Sequence, residues 1–200
     1  MTFALWVRPP LAVTFALAMV FSPAFAAGAS GAFWSGVVTY VVDGDTVRVR
    51  APGGGKPVSI RMEGIDAPEV CQAGGTTSRD ALKLRVLGKR VAVYGRMHDD
   101  YGRLVARIVL DGEDQGAWMV AHGQAWSYRY RASAGPYALE QQKAKSAGIG
   151  LFSKSHAKAP VYPRYFRKQH GSCPTEAYSQ IAGPDFSERM TRKKFPLILP

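Results

Sequence analysis

The chain has few cysteines, no long apolar run and no internal repeat, and each of these absences excludes a class of protein. Two cysteines in 200 residues allow one intramolecular disulfide at most. The apolar run at residues 11–21 is shorter than the roughly 20 residues that a membrane-spanning helix requires. No sequence unit recurs, which argues against a repeat architecture. The length therefore predicts one domain of ordinary size with an extension.

The first 26 residues have the pattern of a secretory signal peptide. Arg8 precedes the apolar run, and Ala24 and Ala26 supply the small side chains that a signal peptidase requires. We expect cleavage after Ala26, with an uncleaved membrane anchor as the alternative. The sequence therefore predicts a secreted or periplasmic protein of 174 residues, without stable membrane insertion after cleavage.

Acidic side chains are scarce relative to basic ones. The chain has 26 Lys and Arg against 15 Asp and Glu, which gives a formal net charge of +11. Removal of residues 1–26 takes away only Arg8 and leaves +10. This charge favours a polyanionic partner, either nucleic acid or an anionic envelope surface. Charge alone does not choose between them, because it sets steering and non-specific affinity rather than chemistry.

The two cysteines, Cys71 and Cys173, both remain after cleavage. In an oxidising compartment a disulfide between them is expected. It would close a loop of about 100 residues, worth about 4 to 5 kcal/mol in the chain-entropy model. Two independent buried thiols are the alternative, because geometry decides whether a bond forms.

Hydrophobic patterning in the mature chain predicts five strands and three helices. The strands are expected at residues 37–42, 46–50, 58–62, 91–94 and 104–110. The helices are expected at residues 81–87 behind a capping box at 77–80, at 117–121 and at 136–147. The composition of residues 27–35 is mostly of small side chains, which predicts a flexible N-terminal tether.

Residues 154–200 form a basic extension of different composition. Nine Lys or Arg stand against three acidic residues, with aromatic residues interleaved and no helical or strand period. This composition predicts either a loosely ordered segment wrapped around the domain or a second nucleic-acid-contacting surface.

Three short segments carry acidic and arginine side chains in a fixed order. They are Asp43-Gly-Asp45-Thr46, Arg61-Met-Glu-Gly-Ile-Asp66-Ala-Pro-Glu69 and Asp99-Asp-Tyr-Gly-Arg103. Each segment alone predicts no more than a turn, because Asp-Gly and Ala-Pro are turn signals. Together they supply what phosphodiester cleavage needs: ligands for a hard cation, a base for water and fixed positive charge.

In this order the segments resemble the staphylococcal nuclease (thermonuclease) family of calcium-dependent nucleases. That family's pattern is DGDT, then R-x-x-x-x-D-x-P-E, then Y-G-R, and the resemblance covers residues 36–153. It implies an α+β fold with a mainly β core: a five-stranded OB-type Greek-key barrel with about three packed helices. It also implies a sugar-non-specific endonuclease that hydrolyses DNA and RNA to products ending in 3′-phosphate, and we expect a monomer.

The resemblance assigns a calcium site to this chain. Asp45 and Asp66 fit as carboxylate ligands, and the backbone carbonyl of Ala67 is implied as a third. The best-studied family member has threonine at the position of Ala67, and a backbone carbonyl survives that change. Water and substrate oxygens would complete six or seven ligands.

The remaining charged residues of the pattern are assigned to catalysis. Glu69 is the candidate general base, left over from the cation ligands to take a proton from water. Arg61 and Arg103 match the two arginines that grip the reacting phosphate, where a planar fork of donors suits its oxygens. Strand alternation places Arg61 on the face opposite Ile60 and Met62, away from the core.

Aromatic residues follow in a second pattern. Trp126, Tyr128 and Tyr130 alternate with a serine and two arginines, so an extended chain would have one aromatic and one cationic face. Trp126 is expected in the core. By the resemblance, Tyr128 and Tyr130 line the nucleotide pocket, and Tyr101 completes the substrate-binding set.

Two other readings compete with the enzyme. A non-catalytic OB-type nucleic-acid-binding module explains the fold, but such relatives typically lack the acidic and arginine set that is complete here. An envelope-surface binding protein explains only the charge. The chain also departs from the family: Asp100 stands where a lysine holds a neighbouring phosphate, and the loop after Glu69 is shorter.

Overall fold

A computed structural model describes residues 32–155, 160–171 and 173. The predicted signal peptide at residues 1–26 lies outside these residues, as does most of the extension predicted at 154–200. Within the described ranges, no helix combines the length and apolar character needed to cross a membrane.

The described residues form eight strands and four helices. The strands are β1 (Phe33–Val41), β2 (Thr46–Arg50), β3 (Val58–Met62), β4 (Ile65–Asp66), β5 (Arg90–His98), β6 (Leu104–Leu110), β7 (Glu113–Asp114) and β8 (Trp126–Ser127). The helices are α1 (Gly75–Val86), α2 (Gln115–Ala121), α3 (Ala138–Ala147) and α4 (Pro163–His170), with a single 3-10 turn at Gly150–Phe152.

Five of the strands close into a barrel. Antiparallel pairing joins them in the order β3-β2-β1-β5-β6, and a parallel pairing of β3 with β6 closes the ring. In that closing pair Arg61 lies beside Val105, and on its other side Arg61 lies opposite Thr46 of β2. The predicted α+β fold with a five-stranded OB-type barrel is confirmed, with four helices among the described residues rather than about three.

The barrel interior is filled by alternate residues of the five strands. Val47, Val49 and Ile60 are fully buried, and Leu82 of α1 packs into the same cluster. Burial of each such side chain stabilises the fold by about 1.5–3 kcal/mol. The alternation leaves the intervening residues, Arg61 among them, outside the core.

Several predicted boundaries were wrong. Strand β1 begins at Phe33 because it pairs with the long strand β5, so residues 33–35 are not a tether. Helix α1 begins at Gly75 and has no side-chain cap, so the capping box at 77–80 lies inside the helix. Helix α3 begins two residues after Pro136. For β1, the boundary is set by pairing with a distant strand, which local sequence does not report.

The extension contains α4, which was not predicted. Its eight residues bury only Pro163, although its basic and aromatic residues segregate at helical spacing and Pro163 stands in its first turn. The Cys71–Cys173 disulfide is present, with 5.6 Å between its Cα atoms, and it ties the chain beyond α4 to the loop after Glu69. Gln72 adds a hydrogen bond from Nε2 to the carbonyl of Val161 at 2.6 Å.

Reduction of this disulfide should lower the melting temperature. A loop of this length is worth about 4 to 5 kcal/mol in the chain-entropy model, which corresponds to roughly 10 °C for a domain of this size. Thermal unfolding with and without reductant measures the shift, and the double variant Cys71→Ser, Cys173→Ser should not respond to reductant. Equal melting temperatures for the oxidised and reduced wild type would contradict a stabilising bond.

Candidate active site

Three elements bring Asp45, Arg61 and Asp66 to one end of the barrel. Asp45 directly precedes β2, and Arg61 in β3 lies opposite the next residue, Thr46. Asp66 in β4 pairs with Trp126 of β8, which holds it beside the barrel. The cross-strand register therefore places one guanidinium between two carboxylates that are 21 residues apart in sequence.

The loop before β2 is held by a close approach to α1. A Cβ atom at Gly44 would lie 1.9 Å from Oγ of Ser78, so only glycine fits there. Ser78 is fully buried and donates a hydrogen bond from Oγ to the carbonyl of Gln124 at 2.7 Å. On the other side, Ala67 N donates to Oδ2 of Asp45 at 2.7 Å. These contacts fix the carboxylate of Asp45.

The centre of the site is a buried cluster of opposite charges. Asp45 is 4% exposed and Asp66 is 2% exposed. Arg61 Nη2 donates to Oδ1 of Asp66 at 2.9 Å, and Nη1 forms an ion pair with Oδ2 of Asp45. Nη1 is buried, and apart from this ion pair it makes no hydrogen bond to any described residue. One guanidinium thus spans both carboxylates but satisfies only one of them well.

Burial shifts the ionisation of this cluster. It raises the pKa of Asp66 even though Arg61 and Arg167 act in the opposite direction. It likewise raises the pKa of Asp43, which accepts a hydrogen bond from Asp45 N at 3.0 Å. Burial also lowers the pKa of Arg61. Burial disfavours the ionised form of each group because it removes the charge from water. Additional positive charge near Asp66 would favour its ionised carboxylate over the protonated form.

The donor set suits a hard cation. Asp45 and Asp66 offer carboxylate oxygens, and buried Ala67 between Asp66 and Pro68 is close enough to Asp45 to hydrogen-bond with it. Over the described part of the chain, no group of three or more His, Cys, Asp and Glu is arranged to hold a metal. A cation here would therefore take two carboxylates and complete its shell with oxygens of the backbone, water and substrate.

Glu69 is positioned by the turn that leads into α1. A Cβ atom at Gly75 would lie 1.8 Å from the carbonyl oxygen of Glu69, so glycine lets the helix start against this turn. Gln72 closes the turn: its main-chain N donates to the carbonyl of Glu69 at 2.8 Å, and its Oε1 accepts from Glu69 N at 3.2 Å. The role of Gln72 was not foreseen, because a glutamine in a loop carries no sequence signal.

Arg167 of α4 enters the site from the extension and was also missed. Its Nη1 donates to Oε1 of Glu69, and its Nη2 lies 3.7 Å from Oδ1 of Asp66. Partial burial alone would lower the pKa of Arg167, but its hydrogen bond to Glu69 and the charge of Asp66 outweigh that effect and raise it. The structure thus brings a second guanidinium to the carboxylate cluster.

Arg103 lies at the edge of the same site. Its Nε donates to Oδ2 of Asp99 at 2.8 Å, and its main-chain N donates to Oδ1 of Asp99 at 2.9 Å. Burial alone would raise the pKa of Asp99, but these hydrogen bonds outweigh it and lower the pKa. Asp99 therefore holds both the turn and the side chain of Arg103, a positioning role that sequence reasoning missed.

The predicted substrate tyrosines are exposed. Tyr101, Tyr128 and Tyr130 are 71%, 45% and 63% exposed, whereas Trp126 is 2% exposed and belongs to the core as expected. The guanidinium of Arg103 lies over the ring of Tyr101, 5.3 Å from its centroid. These rings therefore have free faces on which bases can stack.

The predicted cationic face along residues 126–131 was wrong at Ser127. Strand β8 ends there, and Ser127 is fully buried rather than exposed beside the arginines. Its Oγ accepts a hydrogen bond from Tyr137 N at 3.1 Å. Trp126 and Ser127 are therefore both buried and residues 128–131 are all exposed, so burial does not alternate along this segment.

Comparison with known proteins gives the site a family context. The family described as Staphylococcal nuclease homologue matches residues 59–154. Protein ParB of Escherichia coli is 34% identical over 160 residues, which cover 74% of this chain and 86% of that protein. An uncharacterized endonuclease of Haemophilus influenzae is 32% identical over 66% of this chain and 72% of its own length. An uncharacterized endonuclease of Escherichia coli O157:H7 is 36% identical over 66% of this chain and 84% of its own length.

The substitution Asp99→Asn tests the positioning of Arg103. Asparagine keeps the Oδ1 acceptor of the turn but loses the charge that holds the guanidinium of Arg103. The fold should therefore survive. The rate of nucleic-acid hydrolysis should fall by roughly tenfold, as expected for the loss of one charge-assisted hydrogen bond. Steady-state kinetics and circular dichroism measure both. Asp111→Asn in the β6–β7 turn is the matched control and should retain full activity.

The same residue predicts the direction of a pH effect. Because the folded state lowers the pKa of Asp99, its contribution to stability is fully present above the ordinary aspartate pKa of about 3.9 and is lost as the pH falls below it. In Asp99→Asn this part of the acid destabilisation should be absent. Acid unfolding curves that are identical for the two proteins would contradict the pairing.

Proposed function

The chain belongs to the staphylococcal nuclease family, and on that premise we propose that it is a calcium-dependent, sugar-non-specific endonuclease acting on DNA and RNA. That it is a phosphodiester-hydrolysing nuclease follows from the family and from relatives named as endonucleases. The observation that carries the finer proposal is the buried pair Asp45 and Asp66 around one guanidinium, with Glu69 beside it.

Asp45 and Asp66 are the residues that would hold calcium, with the carbonyl of Ala67 as a third ligand. Bound calcium would polarise the scissile phosphate and lower the pKa of an attacking water. The carboxylates are already held in place by main-chain hydrogen bonds and strand register. Their burial excludes bulk water, which strengthens every electrostatic contact with the substrate.

Glu69 is proposed as the general base. Its side chain is 14% exposed, so it can meet a water molecule while remaining fixed by the turn that Gln72 closes. Glu69 would take one proton from that water as the oxygen attacks phosphorus. The phosphorus–oxygen bond to the leaving nucleoside then breaks, and the leaving oxygen takes a proton from solvent.

Arg61 and Arg103 are proposed to stabilise charge on the phosphate. Each is held by carboxylates in the described structure, Arg61 by Asp66 and Asp45 and Arg103 by Asp99. Phosphate oxygens present the same paired acceptors as a carboxylate, so they compete for the same guanidinium fork. As negative charge grows on the equatorial oxygens, this interaction strengthens in the transition state.

The proposed lack of sugar specificity is supported by the kind of contact that the site offers. Exposed Tyr101, Tyr128 and Tyr130 can stack on any base, and the arginines meet phosphate. Neither contact depends on a 2′-hydroxyl. Export to the periplasm or medium is part of the proposal and is supported by the signal-like N-terminus and the disulfide.

Calcium dependence is tested by digestion of plasmid DNA and RNA with purified protein. Activity should vanish in EGTA and return with excess calcium, and magnesium should substitute poorly because it demands a tighter octahedral geometry. Asp66→Asn should show the same loss at all calcium concentrations tested. Full activity in EGTA would remove the metal from the proposal, and binding without cleavage under every condition would favour the non-catalytic module.

The role of Glu69 is tested by Glu69→Gln. Loss of a general base lowers the rate by roughly 10²–10⁴, whereas affinity for nucleic acid should change little. Glu113→Gln is the matched control, because Glu113 on β7 is a carboxylate that pairs with Arg85 of α1. A Glu69→Gln rate within threefold of the wild type would exclude this residue as the base.

A further inference from the structure

Helix α4 is anchored to the site at both ends. Before its first residue, the ring of Tyr162 packs on Trp126 with 5.0 Å between centroids, and the carbonyl of Val161 accepts the hydrogen bond from Gln72. Beyond its last residue, Cys173 is bonded to Cys71. An isolated helix of eight residues is unstable in water, so these contacts determine where α4 lies.

One face of α4 is basic. Arg164, Arg167 and Lys168 are spaced three and four residues apart, which puts them on the same side of the helix. Arg164 and Lys168 are exposed, and Arg167 reaches Glu69 and Asp66. The helix therefore extends positive charge from the carboxylate cluster to the protein surface.

Arg167 is more accessible than the arginine at the centre of the site. Its side chain is 39% exposed, against 17% for Arg61, although both are paired with Asp66. A substrate that approaches from solvent can therefore reach Arg167 without displacing the core of the cluster. Asp100, beside Tyr101, is exposed and repels phosphate, whereas the basic face of α4 attracts it.

We propose that Arg167 is a further phosphate-binding residue of this site, supplied by the disulfide-anchored extension. It pairs with Glu69 in the free protein and binds the phosphate neighbouring the scissile one in the complex. The inference rests on the proposed function for the identity of its ligand, a single-stranded polynucleotide. The competing reading is an ion pair that only secures α4 to the barrel.

The salt dependence of binding separates the two readings. Each phosphate contact on a single strand contributes a slope of about −0.7 to the dependence of log Kobs on log salt, whereas a purely internal ion pair contributes none. The probe is a fluorescein-labelled single-stranded oligodeoxynucleotide, followed by anisotropy over a sodium chloride series in EGTA. Glu69→Gln serves as the parent, because it removes the charge of the carboxylate that lies closest to Arg167 and leaves only the longer contact with Asp66.

The parent is compared with three double variants that carry Arg167→Gln, Arg167→Lys or Arg90→Gln. Arg167→Gln should flatten the slope by about 0.7 and weaken binding about tenfold at low salt, the loss of one charge-assisted hydrogen bond. Arg167→Lys should keep the slope. Arg90→Gln removes the same charge at an exposed position on β5 and should leave the slope unchanged.

Equal slopes for the parent and its Arg167→Gln derivative would overturn the inference and leave the ion pair as the function of Arg167. None of these substitutions alters Cys71 or Cys173, and thiol titration of each variant checks that the bond has formed, so that a change in slope reports charge at residue 167 rather than loss of the helix. Binding in EGTA requires no cleavage. A wild type that cleaves nothing in calcium would therefore refute the proposed function while leaving the slope test of Arg167 valid.

Discussion

The structure of the site depends on one guanidinium held between two buried carboxylates. Arg61 meets Asp66 and Asp45 because β3 pairs with β2 on one side and closes the barrel against β6 on the other. The barrel registers therefore fix the chemistry as well as the fold. A shift of one residue in β3 would turn Arg61 into the core and Ile60 outward, since side chains alternate between faces.

Burying these charges has an energetic cost. Two carboxylates and a guanidinium lose hydration, and one guanidinium nitrogen lacks a hydrogen bond among the described residues. Burial also shifts the pKa values of Asp66 and Arg61, and such shifts cluster at functional sites. Asp43, whose pKa is also raised by burial, adds to the excess of acidic groups on this side.

Much of the barrel could be predicted because its signals are local. The strands at residues 46–50, 58–62 and 104–110 match their predicted bounds, since alternation and flanking glycines lie within each segment. The placement of Asp45, Arg61 and Asp66 together followed from motif order. Arg167 and Gln72 could not be found in this way, because their partners lie 98 and 89 residues away in sequence and are met only in the folded chain. The helix that carries Arg167 has only eight residues and buries only Pro163, so the helical spacing of its basic residues is a weak signal in the sequence.

The disulfide has a consequence for how Arg167 reaches its partners. A covalent tether turns an encounter between separate segments into an intramolecular one, with an effective concentration in the millimolar range or above for short spans. On one side of the bond, a single residue separates Cys71 from Glu69. On the other side, five residues separate Cys173 from Arg167. Arg167 is thereby kept near Glu69 even when their hydrogen bond is broken, and little orientational entropy is left to lose when the guanidinium changes partners.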